Sequence, residues 1–181
     1  MDNERNHKII EGMKVTNTQT SASVAEECIE RFAELNKCIN PKWRFILMKL
    51  NDNETSIIVD HCEPTNGTNT SAMDNLTKLL SDQHPMWIAY NFPYLVQGGG
   101  KRNKVAIIRW CPDTLTRETL KESARVKMHA VGCGGKVKAA LKGAVCFIQA
   151  NSPEEVSFDV VMEKVSRHER EPINYEESKL I

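Results

Sequence analysis

The chain has 181 residues, with 24 Lys plus Arg balanced by 24 Asp plus Glu. That length suits one domain with some tail, and the zero net charge gives no global reason to expect nucleic acid as a partner. Six Cys occur without a C-x-x-C or a zinc spacing, the first 20 residues hold no apolar signal core, and the longest apolar run, 144–148, is far too short for a membrane span. The expectation is a cytosolic protein with reduced thiols, no metal and no cofactor. Sequons begin at Asn53, Asn66, Asn69 and Asn75, and without a secretory signal they read as chance in an Asn/Thr-rich stretch.

Residues 1–19 are polar and mixed in charge, and predict a mobile arm. Ser23-Val-Ala-Glu26 has the form of a capping box, and Val24, Cys28, Phe32 and Leu35 follow at helical spacing toward Asn36. After Pro41, the run from Trp43 to Leu50 predicts a buried strand, and Ser56 to Asp60 its hairpin partner across Asn51-Asp52-Asn53. Ser71 to Asp74 predicts the start of a short helix with Met73, Leu76, Leu79 and Leu80 inward. Trp87 to Phe92 and Lys104 to Trp110 predict a second hairpin, reversing at Gly98-Gly99-Gly100.

The stretch from Ala124 to Gly143 organises the rest. Val126, Ala130, Cys133, Val137 and Ala140 recur at spacings of four, three, four and three, with Leu141 next, which draws one apolar stripe down a helix. Its charges are Arg125, Lys127, Lys136, Lys138 and Lys142, and no Asp or Glu occurs between Glu122 and Glu154. Met128 lies about 200° round from Val126, outward among cations. It suits docking into an acidic surface with an apolar cleft, or it is a gap-filler on a solvated basic helix. Gly132, Gly134 and Gly135 predict a bend or loosening within this helix. A short strand at Cys146 to Ala150 and a last helix follow, the helix starting at Ser152-Pro-Glu-Glu155 and ending near Arg167 with Val156, Val160, Val161 and Val165 inward. Residues 169–181 are charged and predict a disordered tail.

Hairpins interleaved with helices give an α+β class, a central mixed sheet of about five strands sandwiched by helices, with domain limits near 20 and 168. No nucleophile elbow, P-loop or HExxH occurs, and His61, His84 and His129 have no obvious acid partner in sequence, so no catalytic site is predicted.

The ordered set of segments resembles the ADF/cofilin family (the actin-depolymerising-factor homology domain) from about Thr20 to His168. The segments are SVAEECIERFAELN, WRFILMKLND, IAYNFPY, GGGKRNKVAIIRWCPDT, the Lys127-Met128 pair with AALKG after it, and EVSFDVVMEKVSR. The resemblance implies the same sandwich fold and two actin-binding surfaces. One, for monomer and filament, comprises Thr20, Ser21, Ala22, Arg125, Lys127 and Met128. The other, for the filament alone, comprises Arg102, Lys104, Glu163, Lys164 and Arg167. On the residues alone, 101–104 also reads as a solubilising hairpin tip, and Glu163, Lys164 and Arg167 as a solvated helix face.

The resemblance further implies a non-enzymatic monomer in the cytoplasm, at the cytoskeleton and as far as the nucleus. It would sever filaments and speed their turnover, and bind phosphoinositides in competition with actin. Thr20 and Ser21 are the candidate phosphorylation positions, because the family's Ser-Gly start here reads Thr20-Ser21-Ala22. About 19 residues precede that start, the link from Asp113 to Ala124 is about seven residues longer than the family's, and the long helix carries glycines where the family has helix formers. Two rival readings are a glia-maturation-factor-type protein that binds the Arp complex, and a basic lipid- or nucleic-acid-binding module using 125–142.

Overall fold

The computed structural model describes residues 22–181. Trp43–Leu50 (β2) and Ser56–Pro64 (β3) form the first antiparallel hairpin, and Met86–Val96 (β4) and Lys101–Trp110 (β5) the second. Antiparallel pairing of β2 with β4 fuses the two hairpins. Cys146–Ala150 (β6) joins β5 in parallel, while Ser23–Val24 (β1) joins β3 in parallel at the other edge. The order is β1-β3-β2-β4-β5-β6, and Ile173–Asn174 (β7) pairs with the end of β4. The described residues thus hold seven strands rather than about five. The two extra ones span two residues each, too short to carry any periodicity.

Helices cover both faces. Glu26–Leu35 (α1) and Leu120–Ala140 (α3) pack on one, where Phe32, Leu35, Trp87, Ile107, Ala130 and Val137 form a core. Asn69–Leu79 (α2) and Phe158–Ser166 (α4) close the other over Phe45, Tyr90, Phe92, Trp110, Val161 and Met162. The stripe on α3 is the buried one: Val126 is 3% exposed, Ala130 and Cys133 0%, and Val137 1%.

Local expectations fail where tertiary pairing competes. Ser23 does not cap α1. Its N–H donates to the Thr55 carbonyl at 3.0 Å and the Ala25 N–H to that of Ile57 at 2.9 Å, so the segment is strand, and α1 starts from Ala25 without a side-chain cap. Helix α2 starts earlier than expected, capped by Thr68, with Ser71 as the reciprocal member of the box. Met73 and Leu76 are buried as expected, but Leu79 is exposed. The last helix is split: Pro153–Val156 is a 3-10 turn, and extended Ser157 precedes α4. Helix α3 is not interrupted at Gly132–Gly135.

The largest correction concerns residues 169–181, which are ordered. Beyond β7, Tyr175–Lys179 (α5) lies against β4, with Ser178 fully buried. Buried Asn69 ties it down: its Nδ2 donates to the carbonyls of Pro93 (2.8 Å) and Ser178 (2.6 Å), its Oδ1 accepts from Arg44 Nη1 (2.8 Å), and its backbone N–H donates to the Ile181 carbonyl (2.8 Å). Both amide hydrogens are used, so this sequon offers no free acceptor for a glycan. The charge that suggested disorder is neutralised by the β4–β5 hairpin, as described below. All six cysteines are unpaired.

Candidate functional site

The first surface is the outward side of the N-terminal half of α3. Thr119 caps the helix by accepting from the Glu122 N–H at 3.2 Å. With the stripe buried, helical geometry forces Met128 outward, and it is 74% exposed. Leu120 (90%) and Val131 (58%) extend apolar exposure along the same helix. Arg125 forks onto Glu54 at 2.6 and 3.2 Å, and His129 Nδ1 lies 3.5 Å from the same carboxylate. Glu54 sits at φ 57 in the β2–β3 turn, and the Arg125 hydrogen bond holds its carboxyl below the usual range. Lys127 Nζ donates to the Asp113 carbonyl at 3.1 Å, so the segment before α3 steadies it. Exposed pairs of this kind contribute about 0–1 kcal/mol each, so both cations are easily re-partnered by a docking surface.

Ala22 departs from its expected role. It is 1% exposed, within the α1–α3 core, and its N–H donates to Cys133 Sγ at 3.4 Å. Its side chain anchors the chain beside α3 and offers no surface. Thr20 and Ser21, like the arm at 1–19, lie outside the described residues.

The second surface joins the start of β5 to the end of α4. Arg102 and Lys104 are two apart on a strand and so share a face. Lys104 Nζ donates to the His168 carbonyl and lies 3.2 Å from Glu169. Arg102 reaches Glu169 at 2.8 Å and also Glu171. On α4, Glu163 and Arg167 pair at 2.7 Å, both well exposed, as their spacing predicts. Lys164 is half-buried. Sequence reasoning missed Glu169, whose side chain is only 6% exposed although it is charged. It accepts from the Tyr94 hydroxyl as well as from both cations, and these bonds, Tyr94 first, hold its carboxyl down at about 2.

The two surfaces lie at opposite ends of the sheet. Arg102 pairs with Tyr94 at one end of the β4–β5 ladder, whereas Trp110 pairs with Met86, and Met86 with Lys49, next to the turn that carries Glu54. Eight residues of β5 at roughly 3.3 Å each put about 26 Å between those ends.

A mixed sheet between two helix layers, with a cation-flanked apolar helix at one end and a charged hairpin–helix corner at the other, defines a protein-binding domain of the actin-depolymerising-factor homology type. The model of the family described as cofilin/tropomyosin-type actin-binding protein matches residues 21–166, and the chain belongs to that family. It is 33% identical to a cofilin from Ogataea parapolymorpha over 83% of this chain and 96% of that protein, and 31% identical to the cofilin of Saccharomyces cerevisiae over the same shares. Among solved structures, it is similar to a Streptomyces griseoflavus cofilin with TM-score 0.66 and 26% identity, over 81% of this chain and 98% of that one. An ADF/cofilin from Trypanosoma brucei shares the fold with TM-score 0.62 at 24% identity, over 82% and 96%.

Proposed function

We propose that this protein binds actin monomers and filaments in the ADF/cofilin manner and promotes filament severing and turnover at the cytoskeleton. The observation that carries this reading is Met128, an exposed thioether side chain between Lys127 and Arg125 on a helix whose opposite stripe is buried. An apolar anchor ringed by cations fits an apolar cleft with acidic rims. The N-terminal half of α3 contacts monomer and filament alike, and Thr20 and Ser21 belong to the same contact by their match to the family's start. Arg102, Lys104, Glu163, Lys164 and Arg167 add the filament contact from the far end of the sheet. Two separated surfaces on one monomeric domain suit a protein that touches two neighbouring subunits of a filament. Anionic phosphoinositides compete for the same cations. A phosphate on Thr20 or Ser21 adds about −1.5 to −2 charge next to Ala22 and opposes docking of α3.

The test is a pair of double variants. Lys127→Ala/Met128→Ala weakens monomer binding by roughly 2 kcal/mol, about thirtyfold, and filament binding falls with it. Glu163→Ala/Arg167→Ala keeps monomer binding within about threefold while filament co-sedimentation and severing drop. Both sites are on the surface, so melting curves stay within about 0.5 kcal/mol of the parent. A folded Lys127/Met128 variant that binds monomer normally refutes the reading and favours a glia-maturation-factor-like partner.

A further inference from the structure

Gly134 and Gly135 sit in the interior of α3, where glycine is the least favourable residue short of proline. Neither usual justification for glycine applies. Neither has a positive φ, a Cβ on Gly135 would meet nothing within 4 Å, and one on Gly134 would meet only Arg109 Nη1 at 4.0 Å. What the missing side chains do is leave room. The space is a cleft of about 260 Å³ between α3 and strands β5 and β6.

The lining has the chemistry of a site. Arg109 and Trp87 are cross-strand partners and both line the cleft. Trp87 is 1% exposed, and its indole Nε1–H finds no acceptor among the described residues. Arg109 Nε is likewise buried without one. Both nitrogens are closed to solvent beneath the cleft wall, whereas Arg109 Nη1 lies beside the space that Gly134 leaves. At the mouth, Lys138 Nζ stands 5.1 Å over the ring of Phe147, which is 42% exposed. Among the described residues no Asp or Glu lines the cleft. At about 260 Å³ the cleft lies just under the ordinary range of small-ligand pockets, roughly 300–1,000 Å³. That is smaller than a nucleotide and well matched to a short aliphatic body.

We infer that the cleft between the C-terminal half of α3 and β5–β6 binds a small amphipathic anion: an acidic head on Arg109 and Lys138, and an aliphatic body against Phe147. The inference is independent of the actin reading, because none of these residues belongs to either proposed actin surface. It also gives the two glycines a purpose, since they exchange helix stability for volume.

Octanoate is the probe, titrated into the full chain and followed by the NMR signals of the Trp87 indole N–H and the Gly134 and Gly135 amides. Saturable shifts at all three are expected, with inorganic phosphate (head alone) and octanol (body alone) at least tenfold weaker. Arg109→Gln weakens octanoate tenfold or more, and Gly135→Leu, which fills the cleft, abolishes the Trp87 shift. Because loss of a half-buried arginine can impair folding, Arg109→Lys is measured alongside; its charge without the fork gives an intermediate affinity. The inference is overturned if octanoate gives no saturable shift, if phosphate or octanol binds as well as octanoate, or if the filled and Arg109 variants bind like the parent.

Discussion

Glu169 is the residue on which the ordered C-terminal segment turns, and Glu169→Gln isolates its charge while keeping its size. The substitution replaces a carboxylate that accepts from the Tyr94 hydroxyl, Arg102 and Lys104. A hydrogen bond to a charged group contributes about 1.5–3 kcal/mol. The Arg102 side chain is 41% exposed, so its ion pair adds only about 0–1 kcal/mol. A net loss of about 2 kcal/mol follows, equivalent to roughly 4–8 °C in Tm for a chain of this size. The pH dependence has a fixed sign. The folded carboxyl sits at about 2, against an ordinary 4.5. Its contribution is therefore complete above about 4.5 and fades as pH falls toward 2. Thermal melts of parent and variant, compared at matched pH, should differ most near neutrality and converge over that window. A Tm gap below 1 °C at pH 7, or a gap unchanged down to pH 2, refutes the clamp.

Three further outcomes follow from burial and geometry. Asn69→Ala takes the acceptor from Arg44 Nη1, leaving the guanidinium only its Nη2 bond to the Gly67 carbonyl, and removes a donor from each of two buried carbonyls, so we expect a loss of roughly 2–4 kcal/mol and early cleavage within 169–181 in limited proteolysis. Gly134→Ala/Gly135→Ala meets open space and should raise stability by up to about 2 kcal/mol in denaturant titration; a fall would mean that these positions need glycine's backbone freedom. Ala22→Leu forces extra methyl groups into the α1–α3 core and should cost about 1–3 kcal/mol by the same measurement, whereas a surface position would tolerate it.

What the sequence made legible was whatever repeats at short range. The stripe from Val126 to Val137 specified α3 and its buried side, and thereby placed Met128 outward. The two hairpins were readable because apolar runs flank Asn51-Asp52-Asn53 and Gly98-Gly99-Gly100, and Gly99 does adopt φ +84. What stayed hidden depends on partners distant in the chain. Ser23 looks like a cap until Thr55 and Ile57 claim its neighbourhood for a strand. Residues 169–181 look disordered because their charge is visible in sequence, while Arg102, which lies 67 residues before Glu169 and 69 before Glu171, is not linked to them by any spacing. Glu54 carries no mark that ties it to Arg125, 71 residues on. Ala22 was assigned to a surface by family position, but its own burial excludes a side-chain contact.

The strand order sets a hierarchy of opening. β4 lies between β2 and β5, its residues from Met86 to Tyr90 hydrogen-bonded on both sides and covered by helices on both faces. Its amides can exchange with solvent only when the whole domain comes apart, so deuterium uptake at Ile88 and Ala89 reads the global free energy of unfolding. Among the described residues β6 has a single neighbour and ends the sheet. It can detach while the rest persists, so its protons turn over sooner and report only on the rim.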